Sequence, residues 1–226
     1  MLRDVCFDVK KGETLAIAGV NGAGKTTLLR CLMDYMKVSQ GSITIFGVSN
    51  LRQSARVPLS FLPERFVPPG FMTGHETLQW LSGLRGMPWT LEQSLSGFAQ
   101  FELDKQALHR PLKLFSKGMT QKIGLISCLL VNTPIVVFDE PMSGLDPQAK
   151  RFVAHAMKHA RNEGRTIVFT SHSMNDVQTL CDRVLVIHNS TVCFLGKPSE
   201  LQNKFPSESL EESFLQCIES KEALHA

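Results

Sequence analysis

None of the six cysteines forms a C-x-x-C pair, and most sit inside apolar runs such as I-S-C-L-L and T-V-C-F-L. Buried free thiols and a reducing compartment are therefore expected, in place of a disulfide framework. No run of Lys and Arg occurs and the net charge is only +3, which makes no case for nucleic acid as a partner. No window approaches 18 uninterrupted apolar residues, so the chain is not expected to span a membrane by itself. No signal peptide is visible, because the first residues turn charged and amphipathic at once. Internal repeats and low-complexity segments are missing too. Of the seven histidines, His155 and His159 stand four apart on a helical stretch, but the glutamate of H-E-x-x-H and a third ligand are lacking. A metal centre of that kind is excluded.

What is present is a length suited to one domain, or one domain with an inserted lobe. Composition is that of an ordinary globular chain, 43% hydrophobic and 20% charged. The stretch that organises it is Gly19, Val20, Asn21, Gly22, Ala23, Gly24, Lys25, Thr26, Thr27. It fits G-x-x-x-x-G-K-[ST], the phosphate loop of nucleoside triphosphatases. Thr14 to Ala18 before it reads as a buried strand, and Thr27 to Met36 after it has helical apolar spacing. Strand, glycine-rich turn and helix is the context in which backbone N–H groups and a helix N-terminus converge on a phosphate. Lys25 then reaches the β- and γ-phosphates, and the Thr26 hydroxyl ligates Mg²⁺.

Taken in order, Leu2 to Val9 alternates and reads as a strand, and Ser42 to Phe46 as part of a hairpin closed at Gly47. Residues 58–62 read as a further strand. From Arg65 the texture turns helical. Thr73 with Glu76 forms a capping pattern, Pro88 and Trp89 break the helix, Thr90 to Phe101 resumes it, and a last helix runs from Lys117 to Leu130. Strands are then expected at Ile135–Phe138, Thr166–Phe169, Val184–Ile187 and Thr191–Leu195, with helices at Gln148–Glu163 and Met174–Leu180. The alternation predicts an α/β fold: a phosphate-loop NTPase core on a mostly parallel sheet, with a small antiparallel β part and an inserted helical subdomain. Residues 1–64 and 131–197 form the α/β core, 65–130 the helical lobe and 198–226 a polar helical tail, within a single domain.

Candidate chemistry collects at strand ends. The all-apolar I-V-V-F run delivers Asp139, a carboxylate able to hold Mg²⁺ through water, and then Glu140, which either acts as general base or orients the attacking water. His172, after the strand ending F-T-S, is placed to hydrogen-bond a γ-phosphate.

With these residues in view the chain resembles the nucleotide-binding subunit of ATP-binding-cassette (ABC) transporters. G-V-N-G-A-G-K-T-T looks like the family's Walker A and I-V-V-F-D-E its Walker B. Phe115-Ser-Lys-Gly-Met-Thr-Gln121 looks like its signature segment, Ser143-Gly-Leu-Asp146 its D-loop and Thr170-Ser-His172 its switch histidine. The F-S-K-G-M form is most similar to ABC-2-type exporter subunits. The resemblance implies ATP and Mg²⁺ as cofactors, and hydrolysis by a head-to-tail pair in which Ser116 and Gly118 reach the γ-phosphate held by a second subunit. It also implies that Asp146 links the two sites, and that an integral-membrane permease is driven from its cytoplasmic face by this peripheral subunit. A permease-free or regulatory cassette with little turnover is the alternative.

The sequence departs from the family pattern at three places. Lys117 and Met119 stand where the family has glycine and glutamine, and Lys117 either adds charge near the nucleotide or faces solvent. Glu64, in L-P-E, takes the place of a glutamine and can accept from Mg²⁺-bound water. No aromatic precedes the Leu2 stretch, and Tyr35, the one tyrosine, is badly placed to stack on adenine: either the chain lacks that platform, with weak base discrimination and modest ATP affinity expected, or the sequence is a shortened form. The apolar loop Phe66, Val67, Pro68, Pro69, Phe71, Met72 either walls a groove for a permease helix or packs inside the lobe.

Overall fold

The computed structural model describes residues 2–222. In chain order the elements are β1 (Thr14–Ala18), α1 (Lys25–Leu32), β2 (Thr44–Ile45), β3 (Val48–Ser49), α2 (Gln53–Arg56), β4 (Leu59–Leu62), α3 (Gly74–Gly83), α4 (Leu91–Gln100), α5 (Lys117–Leu129), β5 (Ile135–Phe138), α6 (Pro147–Asn162), β6 (Thr166–Ser171), α7 (Met174–Leu180), β7 (Arg183–His188), β8 (Thr191–Gly196), α8 (Pro198–Lys204) and α9 (Leu210–Glu222). Six strands form one sheet in the order β4-β5-β6-β1-β7-β8. It is parallel except for β8, which runs antiparallel to β7 on the edge.

The inner strands read as unbroken apolar runs because both of their faces are covered. In β1, Leu15 and Ile17 enter one buried cluster with Leu28 and Leu29 of α1, while Ala16 and Ala18 enter the other. In β5, Val137 joins the first cluster, and Val136 and Phe138 join the second with Phe98, Ile123 and Val153. Period-two alternation thus assigns neighbouring side chains to opposite layers of one sheet.

Between β4 and β5 the chain is helical. Two capping boxes, Thr73 with Glu76 and Thr90 with Gln93, start α3 and α4 and satisfy the first orphan N–H groups of each. Ser116 caps α5, its hydroxyl accepting from the Met119 N–H at 3.2 Å. Trp89 is buried and donates to Ser94 Oγ at 2.7 Å, which seals the α3–α4 corner.

Three expectations need correction. Leu2 to Val9 forms no strand. Its alternation survives, with Leu2, Val5, Phe7 and Val9 packed on the α1 side of the core and Asp4, Cys6 and Asp8 outward, yet it is extended without a ladder. Arg3 N–H donates to the Ser190 carbonyl at 2.8 Å, and Asp4 with φ of 51° interrupts the extended path. The expected small antiparallel sheet is present as the β2–β3 hairpin without the Leu2 stretch, and the turn residues Phe46 and Gly47 both have positive φ as a type I′ turn requires. Helix α1 stops at Leu32 because Asp34 turns left-handed at φ 59°, so Tyr35 lies beyond it, exposed and edge-on to Phe61. The tail is not merely polar: Leu201, Leu210, Phe214, Cys217 and Ile218 are buried in the main core.

No disulfide joins any of the six cysteines, but only Cys128 and Cys217 are buried and Cys6 is exposed. Burial pushes the Cys181 thiol up to about 12 and raises that of Cys128, so neither is a ready nucleophile.

Candidate active site

The C-terminal ends of β1, β5 and β6 lie side by side, with Ala18 level with Ser171 and Phe138 level with Phe169. Open α/β sheets bind ligands at this edge. Gly19 leaves β1 where only a bare Cα fits: a methyl there would lie 2.4 Å from the Ile187 carbonyl oxygen of β7 and 3.1 Å from the Ala23 Cβ. Val20, Asn21 and Gly22 form the exposed rim of the loop and Ala23 its buried floor. Helix α1 starts on left-handed Gly24, φ 110°, with no side-chain cap, which leaves its first-turn N–H groups for an anion. Thr27 sits half-buried in that first turn.

Replacing Gly19 with alanine is expected to destabilise the fold by about 1–3 kcal/mol, because the obstacle is backbone and not a flexible side chain. Thermal melts of the variant and of Gly22→Ala separate this clash from strain alone, since Gly22, φ 84°, has open space at its Cβ position. Equal losses in the two variants would contradict the close-approach account.

Lys25 is buried at the centre of the loop. Its ammonium donates to the carbonyls of Gly19 at 2.6 Å and Val20 at 3.4 Å, and pairs with Glu140 Oε1 at 3.3 Å. The other oxygen of Glu140 meets His172 Nδ1 at 2.9 Å. Glu140 is itself held in the left-handed region, φ 49°, a strained backbone for a residue with a side chain. Its N–H donates to Thr170 Oγ1 at 2.8 Å. Thr170 in turn donates to Asp139 Oδ1 at 2.7 Å, and the same oxygen accepts from Thr26 at 3.2 Å. Lys25, Thr26, Asp139, Glu140 and His172 thus form one connected cluster drawn from three strand ends.

Ser116, Gly118 and Asp146 stand apart from it. Among the described residues no hydrogen bond or ion pair joins Ser116 or Gly118 to the phosphate loop. Gly118 and Gly144 instead place the start of α5 against the loop before α6. Asp146 caps α6, its Oδ1 accepting from the Ala149 N–H at 2.8 Å. Glu64 follows β4 at the same sheet edge as Asp139, exposed, and no hydrogen bond joins the two among the described residues. Sequence reasoning gave no role to Thr170, which links Asp139 to the Glu140 backbone. Its only signal was a hydroxyl at the end of an otherwise apolar strand, just before His172. The apolar loop after Glu64 divides: Phe66 packs on the main core, whereas Val67 and Phe71 are 72% and 79% exposed.

The ABC transporter family matches residues 2–143, well over half of the chain. The chain belongs to that family. It is 34% identical over 219 residues to the ABC transporter ATP-binding protein NatA of Bacillus subtilis (strain 168), covering 95% of this chain and 89% of that protein. It is 32% identical over 199 residues to the Nod factor export ATP-binding protein I of Ralstonia nicotianae, covering 86% of this chain and 62% of that one. A solved structure of an ATP binding subunit of an ABC transporter superposes with a TM-score of 0.86 at 28% identity, over 96% of this chain and 92% of that chain. This ABC protein has the fold of a phosphate-loop NTPase and is an ATPase of the ATP-binding-cassette type. Among its described residues, no helix is long and apolar enough to cross a membrane.

Proposed function

We propose that this ABC protein hydrolyses ATP as a head-to-tail pair of subunits and so drives a membrane exporter from its cytoplasmic face. The observation that supports the reading most is the chain of contacts Lys25–Glu140–His172 beside Thr26–Asp139–Thr170. Lys25 and the bare first turn of α1 bind the β- and γ-phosphates. The triphosphate competes with Glu140 for the Lys25 ammonium, which frees the carboxylate. Glu140 then takes the proton of the attacking water as the bond from γ-phosphorus to ADP breaks. His172, whose Nδ1 lies on Glu140, keeps Nε2 for the γ-phosphate and orients the base.

The oxygens of Thr26 and Asp139 lie 3.2 Å apart, a hydroxyl and a carboxylate converging as the hard donor set of Mg²⁺ requires. These residues, with Glu64 through water, would hold the ion, which when bound neutralises charge on the phosphate oxygens. Ser116 and Gly118, which share no hydrogen bond or ion pair with Lys25 among the described residues, serve the nucleotide of the second subunit, and Asp146 borders both sites. The nucleotide core is assigned to residues 1–64 and 131–197, the coupling lobe to 65–130 and the tail to 198–226. In that lobe an open depression of about 520 Å³, lined by Phe71, Met72, Glu76, Gln79 and Trp80, presents exposed apolar surface suited to a permease helix.

The test is Mg²⁺-ATP turnover by the purified chain, with gel filtration in ATP and sedimentation with membranes that carry the permease. Turnover, an ATP-dependent dimer and membrane association reduced by Phe71→Ser with Trp80→Ser are expected. Turnover without any membrane association would support the permease-free alternative.

A further inference from the structure

We propose that Lys117 is a positioning residue: it ties the start of α5 to the turn that follows Glu140 and so holds the catalytic backbone in place. The inference rests on the ATPase reading above for its kinetic consequence only. Gly144, at φ 69°, turns its bare Cα toward α5, and a methyl there would lie 3.0 Å from Lys117 Nζ and 3.7 Å from its Cε. The end of the lysine side chain therefore lies over the one position in the turn that has no side chain of its own. Gly118 lies beside the same turn, since a methyl there would be 3.9 Å from the Leu145 side chain. The turn is short and folded back on Glu140: Ser143 N–H donates to the Glu140 carbonyl at 3.1 Å, and Leu145 N–H to that of Met142 at 3.4 Å. Pro141, Met142 and Leu145 are buried beneath it.

At Gly144 the end of the Lys117 side chain lies against the turn's outer side, both residues remaining solvent-exposed. No ion pair engages this lysine among the described residues, and it begins α5 close to the start of α6, where two helix dipoles disfavour a cation. Electrostatics therefore does not explain its seat, whereas the fit of a long unbranched side chain over a bare Cα does. The strained φ of Glu140 needs surroundings that over-determine it, and the Thr170 contact restrains only its N–H side. Lys117 restrains the other side, through Gly144 and the Ser143–Glu140 bond. It also joins the element that carries Ser116 to the element that carries Glu140 within one chain.

Lys117→Ala removes the side chain, Lys117→Met keeps a long unbranched one without the charge, and Lys105→Ala is a control at another exposed lysine. Hydrogen exchange without nucleotide should be about tenfold faster at Ser143 and Leu145 in Lys117→Ala, and unchanged in the control. In steady-state ATPase assays kcat should fall about tenfold in Lys117→Ala with KM within about twofold, and Lys117→Met should recover most of it. Unchanged exchange at Ser143 and Leu145 overturns the tie. A raised KM with kcat intact also overturns it, by making Lys117 a direct nucleotide contact. If the wild-type chain does not turn over ATP, the ATPase reading fails while the exchange experiment still decides the tie.

Discussion

Glu140→Gln abolishes steady-state turnover, with a loss of about 10²–10⁴-fold expected for removal of a positioned general base. The substitution keeps side-chain volume and an oxygen able to accept from His172, so the cluster geometry changes little. It removes the negative charge that faces Lys25 at 3.3 Å, and with it the competitor of the triphosphate for that ammonium. Nucleotide binding is therefore retained or tightened while the chemistry stops. If hydrolysis is what reopens the paired subunits, the variant accumulates as an ATP-bound dimer, visible by gel filtration, where the wild type cycles. Glu140→Asp separates the contributions: the charge remains but the carboxylate retreats by one methylene from both partners, so an intermediate loss is expected. Turnover of Glu140→Gln within about threefold of wild type would place the base elsewhere. Loss of ATP binding in the same variant would make Glu140 a support of the fold and not its catalyst.

The sequence made the phosphate loop, Asp139, Glu140 and His172 legible because each sits at the end of a strand buried on both faces, and such strands are continuous apolar runs that stand out from their surroundings. The same reasoning misled at Leu2 to Val9. Period two reports which side of an extended segment is buried, and it did so correctly for Val5, Phe7 and Val9. It carries no information on whether a neighbouring strand offers a free edge, and here none pairs with it. The tail shows the converse failure. Its acidic residues dominate the composition, but Leu210, Phe214, Cys217 and Ile218 follow helical spacing and fill one buried stripe, visible only by position. The role of Thr170 escaped notice because it depends on the register of β5 against β6, a non-local fact that no motif encodes. Ser116 and Gly118 were legible as a motif, yet one chain alone does not unite them with Lys25. Their chemistry becomes complete only if a second subunit faces them.

Arg165 was invisible to every motif and carries the second large expected effect. It lies just before β6, is 3% exposed, and no carboxylate pairs with it among the described residues. Instead its guanidinium donates to the carbonyls of Cys128, Leu129, Val131 and Thr133 at 2.6–3.0 Å, and to the Thr133 hydroxyl at 3.2 Å. These are carbonyls at the end of α5 and just beyond it, which have no helical partner and lie at the negative end of the helix dipole. The fork of donors thus satisfies several carbonyls at once, of which Val131 O also accepts from the Thr133 N–H at 2.8 Å, and joins the helix to the strand at its side. Desolvation lowers the Arg165 pKa, but the group stays protonated at any ordinary pH. Arg165→Met is expected to cost about 3–5 kcal/mol, since it leaves buried carbonyls unpaired while filling the space. At about 2–4 °C per kcal/mol for a chain of this size, the melting temperature falls by roughly 6–20 °C. Arg165→Lys should recover only part of the loss, because a single ammonium cannot reproduce the planar fork. The site feels this at a distance, since α5 runs from these carbonyls to Ser116. A melting temperature unchanged in Arg165→Met would mean that water serves those carbonyls equally well and that the arginine is not what fixes the helix.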